Sequence, residues 1–320
     1  MATGRTFAIY AALAGNVAIA ATKFAVAAFA GSSSMLTEGI HSLVDSGNEV
    51  LLLYGEKRAQ RPPDELHPLG YGREIYFWSF VVALLIFTAG AGVSIYEGIL
   101  HMLEPEMLHS PAINFGVLGV SFLIEGASTY FAFREFSKTK RPDENFWTAL
   151  RSSKDPSIFV VLFENCAALV GLAIAAAFIG LTIVTGNPVW DGAGSVVIGL
   201  LLAGVAIVLA GECKHLLIGE QARPELRQAL RTLSDREAGV CVVNEVMTVH
   251  LSPHEVIAML SIDLDDHLPV GEVEAIAARI ENSAKAEFPE LRRIFVRPQS
   301  RTAAGAEREA LFEGVETADY

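Results

Sequence analysis

Apolar residues along the chain gather into six runs, at about 6–30, 35–55, 76–100, 112–135, 157–182 and 189–212. Each is long enough to cross a bilayer as a helix, which takes roughly 20 residues. From about Gly219 the pattern changes. RPELRQALRTLSD has the apolar spacing of an amphipathic helix, whereas VVNEVMTVHLS and EVIAMLSIDLD alternate like paired strands. VGEVEAIAARIENSAKAEF reads as a second helix and LRRIFVRP as a closing strand. The order α-β-β-α-β predicts a small ferredoxin-like α+β domain, with helices on one face of a sheet. The expected organisation is a six-helix transmembrane domain over 1–216, an α+β domain over 217–299, and an Ala/Glu-rich tail over 300–320. The tail has little periodicity and is expected to be disordered.

The second run is interrupted in a regular way. Glu38, His41 and Asp45 fall three and four positions apart, with Ser34 before them and Asn48 and Glu49 after. On a helix that spacing stacks them on one face. An ionised acid near the bilayer centre costs roughly 2.5–3.5 kcal/mol on insertion scales. A stripe that merely hydrogen-bonds neighbouring helices could use uncharged side chains, so two acids and a histidine point to a metal or proton site. Imidazole and carboxylate together are ligands for a divalent transition metal. Glu164 and Asn165 lie eight to ten residues into the fifth run, and Asp45 lies about ten residues from the outer end of the second. Both places are near mid-bilayer, which permits one shared site. Glu125 is a further mid-span acid, and Lys23 in the first run could pair with either Glu164 or Glu125.

Composition narrows the class. Of 320 residues, 52% are hydrophobic and only 19% charged, with a mean hydropathy of +0.39, so much of the chain belongs in lipid. A net charge of −13 argues against nucleic-acid binding, which needs a basic face. Cys166, Cys213 and Cys241 form no CxxC pair, against a disulfide scaffold or a cysteine–zinc site. No HExxH occurs, which disfavours an intramembrane metalloprotease, and no enzyme activity or resident cofactor is expected. The N-terminal apolar run is longer than the apolar core of a signal peptide and reads as a retained first span. Lys57, Arg58, Arg61 and Arg73 follow the second run, and Lys138, Lys140, Arg141, Arg151 and Lys154 follow the fourth. The other connections carry no Lys or Arg, so both termini are expected on the cytoplasmic side.

Six runs, the acid/histidine stripe and a small α+β domain together resemble the cation diffusion facilitator family over nearly the whole chain. His41-Ser-Leu-Val-Asp45 is similar to the family's (H/D)xxxD half-site. Asp64 to Trp78 looks like its HPxGxGxxE-type loop, and Asp191 sits where members carry an Asp opening the sixth span. The fifth-span register reads Val161-Leu-Phe-Glu164-Asn165 rather than a second HxxxD. That departure resembles the branch similar to zinc transporter 9, whose fifth span uses a Glu-Asp/Asn pair.

The resemblance implies an efflux transporter for a divalent cation, Zn²⁺ foremost, or Mn²⁺, Fe²⁺, Co²⁺ or Ni²⁺, exchanged for protons by alternating access. The implied transport ligands are His41, Asp45 and Glu164, with Asn165 and Glu38 behind them. Asp64 and His67 form a possible auxiliary loop site, although Tyr71 stands where some members carry His. His250 and His254 flank a turn between strands and read as surface histidines rather than ligands. A homodimer in a bacterial inner membrane is implied. Ser261 and Val296 take the places of the histidines that bridge cytoplasmic domains through zinc in other members. The altered fifth span leaves open a second reading, a non-transporting membrane protein with a structural or regulatory metal site.

Overall fold

The computed structural model describes residues 2–30, 33–105, 111–139, 145 and 154–312. The chain divides after Leu217 into two compact units. The first contains α1 (Ala2–Ala30), α2 (Ser33–Ala59), α3 (Glu74–Leu85), α4 (Val93–Leu103), α5 (Pro111–Thr139), α6 (Pro156–Thr185) and α7 (Val189–Ile218). A π-helical stretch, Ile86–Gly92, joins α3 to α4 without a break, so Glu74–Leu103 is one rod. Helix ends follow local chemistry. Asp155 accepts the Ser157 N–H at 3.0 Å ahead of Pro156 at the start of α6, an N-cap with proline in the first turn. Gly186, at φ 67°, closes the same helix by returning its N–H to the Thr182 carbonyl.

Among the described residues, four stretches are long and apolar enough to cross a membrane: Glu74–Leu103, Ala112–Arg134, Pro156–Thr185 and Val189–Ile218. They coincide with the last four of the six apolar runs. In α1 the described stretch Asn16–Phe29 is a shorter apolar helix, with Lys23 inside it. Helix α2 has the length, but Glu38, Asp45, Glu49 and the basic end at Lys57 and Arg58 lower its hydropathy. The structure accommodates those charges by making α2 the hub. Helices α1, α3, α4 and α6 all pack on it, and α5 bridges α1 and α6. Lys23, Glu38, His41, Asn48 and Glu164 are consequently buried, while Leu123, Phe131, Val184 and Ile207 are more than half exposed. Polar inside and apolar outside is the distribution expected of a bundle solvated by lipid.

The α4 rod and α7 meet at glycine. A Cβ on Gly98 would lie 2.7 Å from the Gly192 carbonyl oxygen, and one on Gly192 would lie 2.7 Å from that of Gly98. Two backbones this close leave no room for any side chain, the small-residue contact through which membrane helices pack without a hydrophobic driving force.

The second unit runs α8 (Pro224–Asp235), β1 (Val240–Ser252), β2 (Glu255–Leu264), α9 (Val270–Glu287), β3 (Leu291–Pro298) and α10 (Arg301–Phe312). Its sheet has the order β1-β2-β3, with β1 antiparallel and β3 parallel to β2. Val256, Ala258, Leu260 and Ile262 on β2 enter one core with Leu226 and Leu230 of α8 and Ile276 and Ile280 of α9. The alternation along β2 is what puts these four on one face.

The disordered tail expected over 300–320 is corrected in part, because 301–312 forms α10. Polar end contacts hold it, and these leave no apolar period for sequence reading to detect. Asp263 accepts the Arg301 N–H at 3.1 Å, and Glu307 accepts from Arg297 Nη1 at 3.0 Å and Gln299 Nε2 at 2.6 Å. Residues 313–320 lie outside the described residues, as does the fourth-to-fifth connection through Lys140, Arg141 and Arg151.

Candidate metal centre

The stripe on α2 is continuous and buried. Thr37, Glu38, His41 and Asn48 are at most 2% exposed, and the Asp45 side chain is 16% exposed. His41 Nδ1 lies 3.3 Å from Asp45 Oδ1, one helical turn along. Asp45 Oδ1 has no hydrogen-bond partner among the described residues, so the two side chains lie side by side as potential ligands rather than as a hydrogen-bonded pair. The far ring nitrogen, His41 Nε2, is likewise buried and has no hydrogen-bond partner among the described residues. The same holds for Thr37 Oγ1, Glu38 Oε1, Asn48 Oδ1 and Glu49 Oε2. Buried polar atoms are normally satisfied. A column of unsatisfied acceptors along one helix is the signature of a site built for a cation.

The neighbouring helices contribute both carboxylates and competitors. Asn48 Nδ2 donates to Glu164 Oε1 at 2.6 Å, which brings the fifth-run acid of α6 onto the α2 stripe one turn below Asp45. Glu164, Glu125, Lys23 and Glu38 are all within electrostatic reach of Asp45. Lys23 is fully buried on α1 and pairs with Glu38 Oε2 at 3.1 Å and with Ser42 Oγ at 2.8 Å. The lysine therefore joins Glu38, not Glu164 or Glu125 as the sequence suggested. An ammonium reaches whichever acid its own helix faces, and α1 packs directly on α2. Glu49 accepts from Asn16 Nδ2 at 2.9 Å.

Of the residues expected to ligate, the structure brings His41 to Asp45 and Glu164 to their stripe, but ties Glu38 to Lys23 and turns Asn165 elsewhere. Asn165 Nδ2 lies 3.4 Å from Ser128 Oγ on α5, because consecutive helical residues point about 100° apart. Among the described residues no three His, Cys, Asp or Glu side chains converge on one point. Asn48 is the member whose role sequence reading understated. Its signal was the three-residue step from Asp45, and its partner across the helix interface was invisible.

In the loop after α2, Asp64 and His67 do meet, with the His67 N–H 2.7 Å and its Nδ1 3.3 Å from Asp64 Oδ1. The Tyr71 hydroxyl donates to the other oxygen, Oδ2, at 2.5 Å. Both carboxylate oxygens are thus engaged by protein donors in an exposed turn. The Tyr71 hydroxyl first, and then the His67 amide, holds the Asp64 carboxyl below its ordinary value. Gly70 allows the turn, at φ 84°. The helices on either side of the loop are joined by Arg58 of α2, whose Nε and Nη2 both donate to Glu74 Oε1 of α3 at 3.1 and 2.8 Å.

At the far end of the stripe, Ser34 Oγ donates to the Asp191 carbonyl at 2.8 Å, and the Ser34 N–H lies 3.4 Å from the Asp191 carboxylate in the first turn of α7. In the α+β unit, His254 is exposed in the β1–β2 turn, but His250 is 6% exposed with Nδ1 3.2 Å from the Ser252 carbonyl. His250 is therefore not the surface residue expected, since it pairs with Val256 inside the sheet. The Ser261 hydroxyl donates to Gln299 Oε1 at 2.7 Å, and Asn244 Nδ2 lies 3.3 Å from it.

A bundle with an apolar exterior and a buried acid/histidine column is the architecture of a multi-spanning membrane protein that handles cations. Residues 9–218 match the family model described as the cation efflux transmembrane domain, and the chain belongs to that family, the cation diffusion facilitators. It is 34% identical over 244 residues to the mitochondrial proton-coupled zinc antiporter SLC30A9 of Homo sapiens, covering 76% of this chain and 43% of that protein. To metal tolerance protein C4 of Arabidopsis thaliana it is 37% identical over 217 residues, 66% of this chain and 47% of that protein. The cation-efflux pump FieF of Pectobacterium atrosepticum is 25% identical over 293 residues, 88% of this chain and 91% of that protein. The chain thus spans less than half the length of the SLC30A9 and C4 relatives it matches.

Proposed function

We propose that this protein is a secondary transporter that moves a divalent metal ion, Zn²⁺ foremost, out of the cytoplasm in exchange for protons. The observation that carries the reading is the placement of His41 beside Asp45 inside a lipid-solvated bundle, with His41 Nε2 buried and unpartnered. Neutral imidazole and ionised carboxylates hold metal, whereas their protonated forms do not, so binding metal releases protons and protons entering from the far side expel it. His41, Asp45 and Glu164 are the proposed metal ligands. In the conformation described, Asn48 donates to one oxygen of Glu164, which ties α6 to α2 at the level of the stripe and leaves further lone pairs of the carboxylate for the ion. Rocking between inward- and outward-facing states would then carry the ion across.

The wider arrangement belongs to the same proposal. It comprises six spans with both termini cytoplasmic, a ferredoxin-like C-terminal domain over 217–299, and a homodimer. Relatives named as proton-coupled zinc antiporters support zinc and proton exchange. Placement in a bacterial inner membrane belongs to the same proposal, and bacterial FieF matches over about nine-tenths of both lengths.

Proteoliposomes test the reading directly. With the lumen at pH 6 and the outside at pH 7.5, Zn²⁺ uptake is expected to exceed that at equal pH and to dissipate the proton gradient. No uptake at either lumenal pH would leave the non-transporting reading standing. Ligand identity at position 41 is tested by selectivity. His41→Asp replaces a borderline nitrogen with a hard oxygen, and the expected result is a shift of about tenfold toward Mn²⁺ relative to Zn²⁺ in competition assays. An unchanged metal ranking would remove His41 from the coordination shell.

A further inference from the structure

The cation already inside the bundle belongs to the protein. Lys23 is 0% exposed, and so is its partner Glu38. A buried ammonium is costly unless its geometry is well satisfied, and a helix facing lipid could carry an apolar residue at this position. Its Nζ makes a charged contact to Glu38 Oε2 and a hydrogen bond to Ser42 Oγ. Ser42 and Glu38 flank His41 on either side along α2, and Lys23 is within electrostatic reach of both His41 and Asp45. Glu38 holds one oxygen on the ammonium and leaves Oε1 buried and unpartnered, tight against Gly171 of α6.

We propose that Lys23 is a tethered counter-cation that withholds Glu38 from the transported metal and thereby sets the site's selectivity. This rests on the transport reading above. With Lys23 and Glu38 paired, their charges cancel. Asp45 and Glu164 are then the carboxylates left beside His41 for a dication, with Glu125 and Glu49 also within electrostatic reach of them. Without Lys23, Glu38 becomes a third carboxylate one turn from His41. A set richer in hard oxygen relative to nitrogen favours Mn²⁺ over Zn²⁺. Lys23 touches no metal in this scheme and is a positioning residue.

Titration of the purified full-length protein with Zn²⁺ and with Mn²⁺ tests the assignment. Lys23→Met is expected to raise Mn²⁺ affinity about tenfold relative to Zn²⁺, and Lys23→Arg to keep the wild-type ratio. Adding Glu38→Gln to Lys23→Met is expected to restore that ratio, a rescue that a purely structural lysine does not produce. Should Lys23→Met fail to assemble, the charge-swapped Lys23→Glu/Glu38→Lys protein retains the pair and is expected to retain the ratio. A ratio unchanged in Lys23→Met, unrescued by Glu38→Gln, or lost in the swap overturns the inference. If the wild-type protein takes up Zn²⁺ in proteoliposomes in any of these cases, the transport reading survives. If the wild-type protein binds neither metal, both fall.

Discussion

Asp45→Ala is expected to reduce metal flux in proteoliposomes by at least about 100-fold, while the protein still purifies as a monodisperse species. Asp45 offers a carboxylate beside His41, with Oδ1 3.3 Å from Nδ1 and without a hydrogen-bond partner of its own among the described residues. Loss of even an outer partner of a metal ligand costs about 10–100-fold in metal affinity, and loss of a direct ligand costs more. The fold should tolerate the change, since an alanine removes a buried acid that is expensive to keep without its ion and is a good helix former. Asp45 also lies in the electrostatic field of Glu164, Glu125 and Glu38, so its removal relieves crowding of like charge. Wild-type flux from Asp45→Ala vesicles would sink the proposed centre.

The second large effect is expected at Glu164, where the fifth span departs from the commoner HxxxD pattern. Glu164→Gln keeps the shape and still presents an oxygen to Asn48 Nδ2, which now donates at 2.6 Å. Packing and hydrogen bonding are therefore preserved, and only the charge is lost. A neutral amide is a much weaker ligand for a dication than a carboxylate, so affinity is expected to fall about 10–100-fold. Protons released per metal bound should also fall, because Gln carries no ionisable proton. Asn165→Ala is the matched control. Its only described side-chain bond is the 3.4 Å contact to Ser128, at the long limit for a hydrogen bond, and its loss is expected to leave metal affinity within about twofold. Calorimetry of both variants in two buffers of different ionisation enthalpy separates affinity from proton release. If Asn165→Ala proves the more damaging change, the carboxylate assignment fails and the amide takes the role.

The sequence by itself determined the elements and the chemistry of the stripe. The period of α2 put Glu38, His41, Asp45 and Asn48 on one face before any neighbour was known, because the helix repeat acts over a few residues. The change from uniform to alternating apolar pattern near Gly219 announced the α-β-β-α-β order for the same local reason. What the pattern could not convey was pairing across helices. Lys23 and Glu38 are fifteen residues apart, and Asn48 and Glu164 are more than a hundred apart. Each contact depends on which helix faces lie together, a choice made by packing the whole bundle. Lys23 accordingly took Glu38 rather than Glu164, and Asn165 was turned to α5 although it adjoins Glu164 in the chain. Helix α10 was missed because polar contacts to β2 and the end of β3 hold it, and those partners become neighbours only after the sheet forms. Local periodicity determines which side chains share a face. Only the tertiary structure decides which of the buried charges neutralise one another and which are left for a metal.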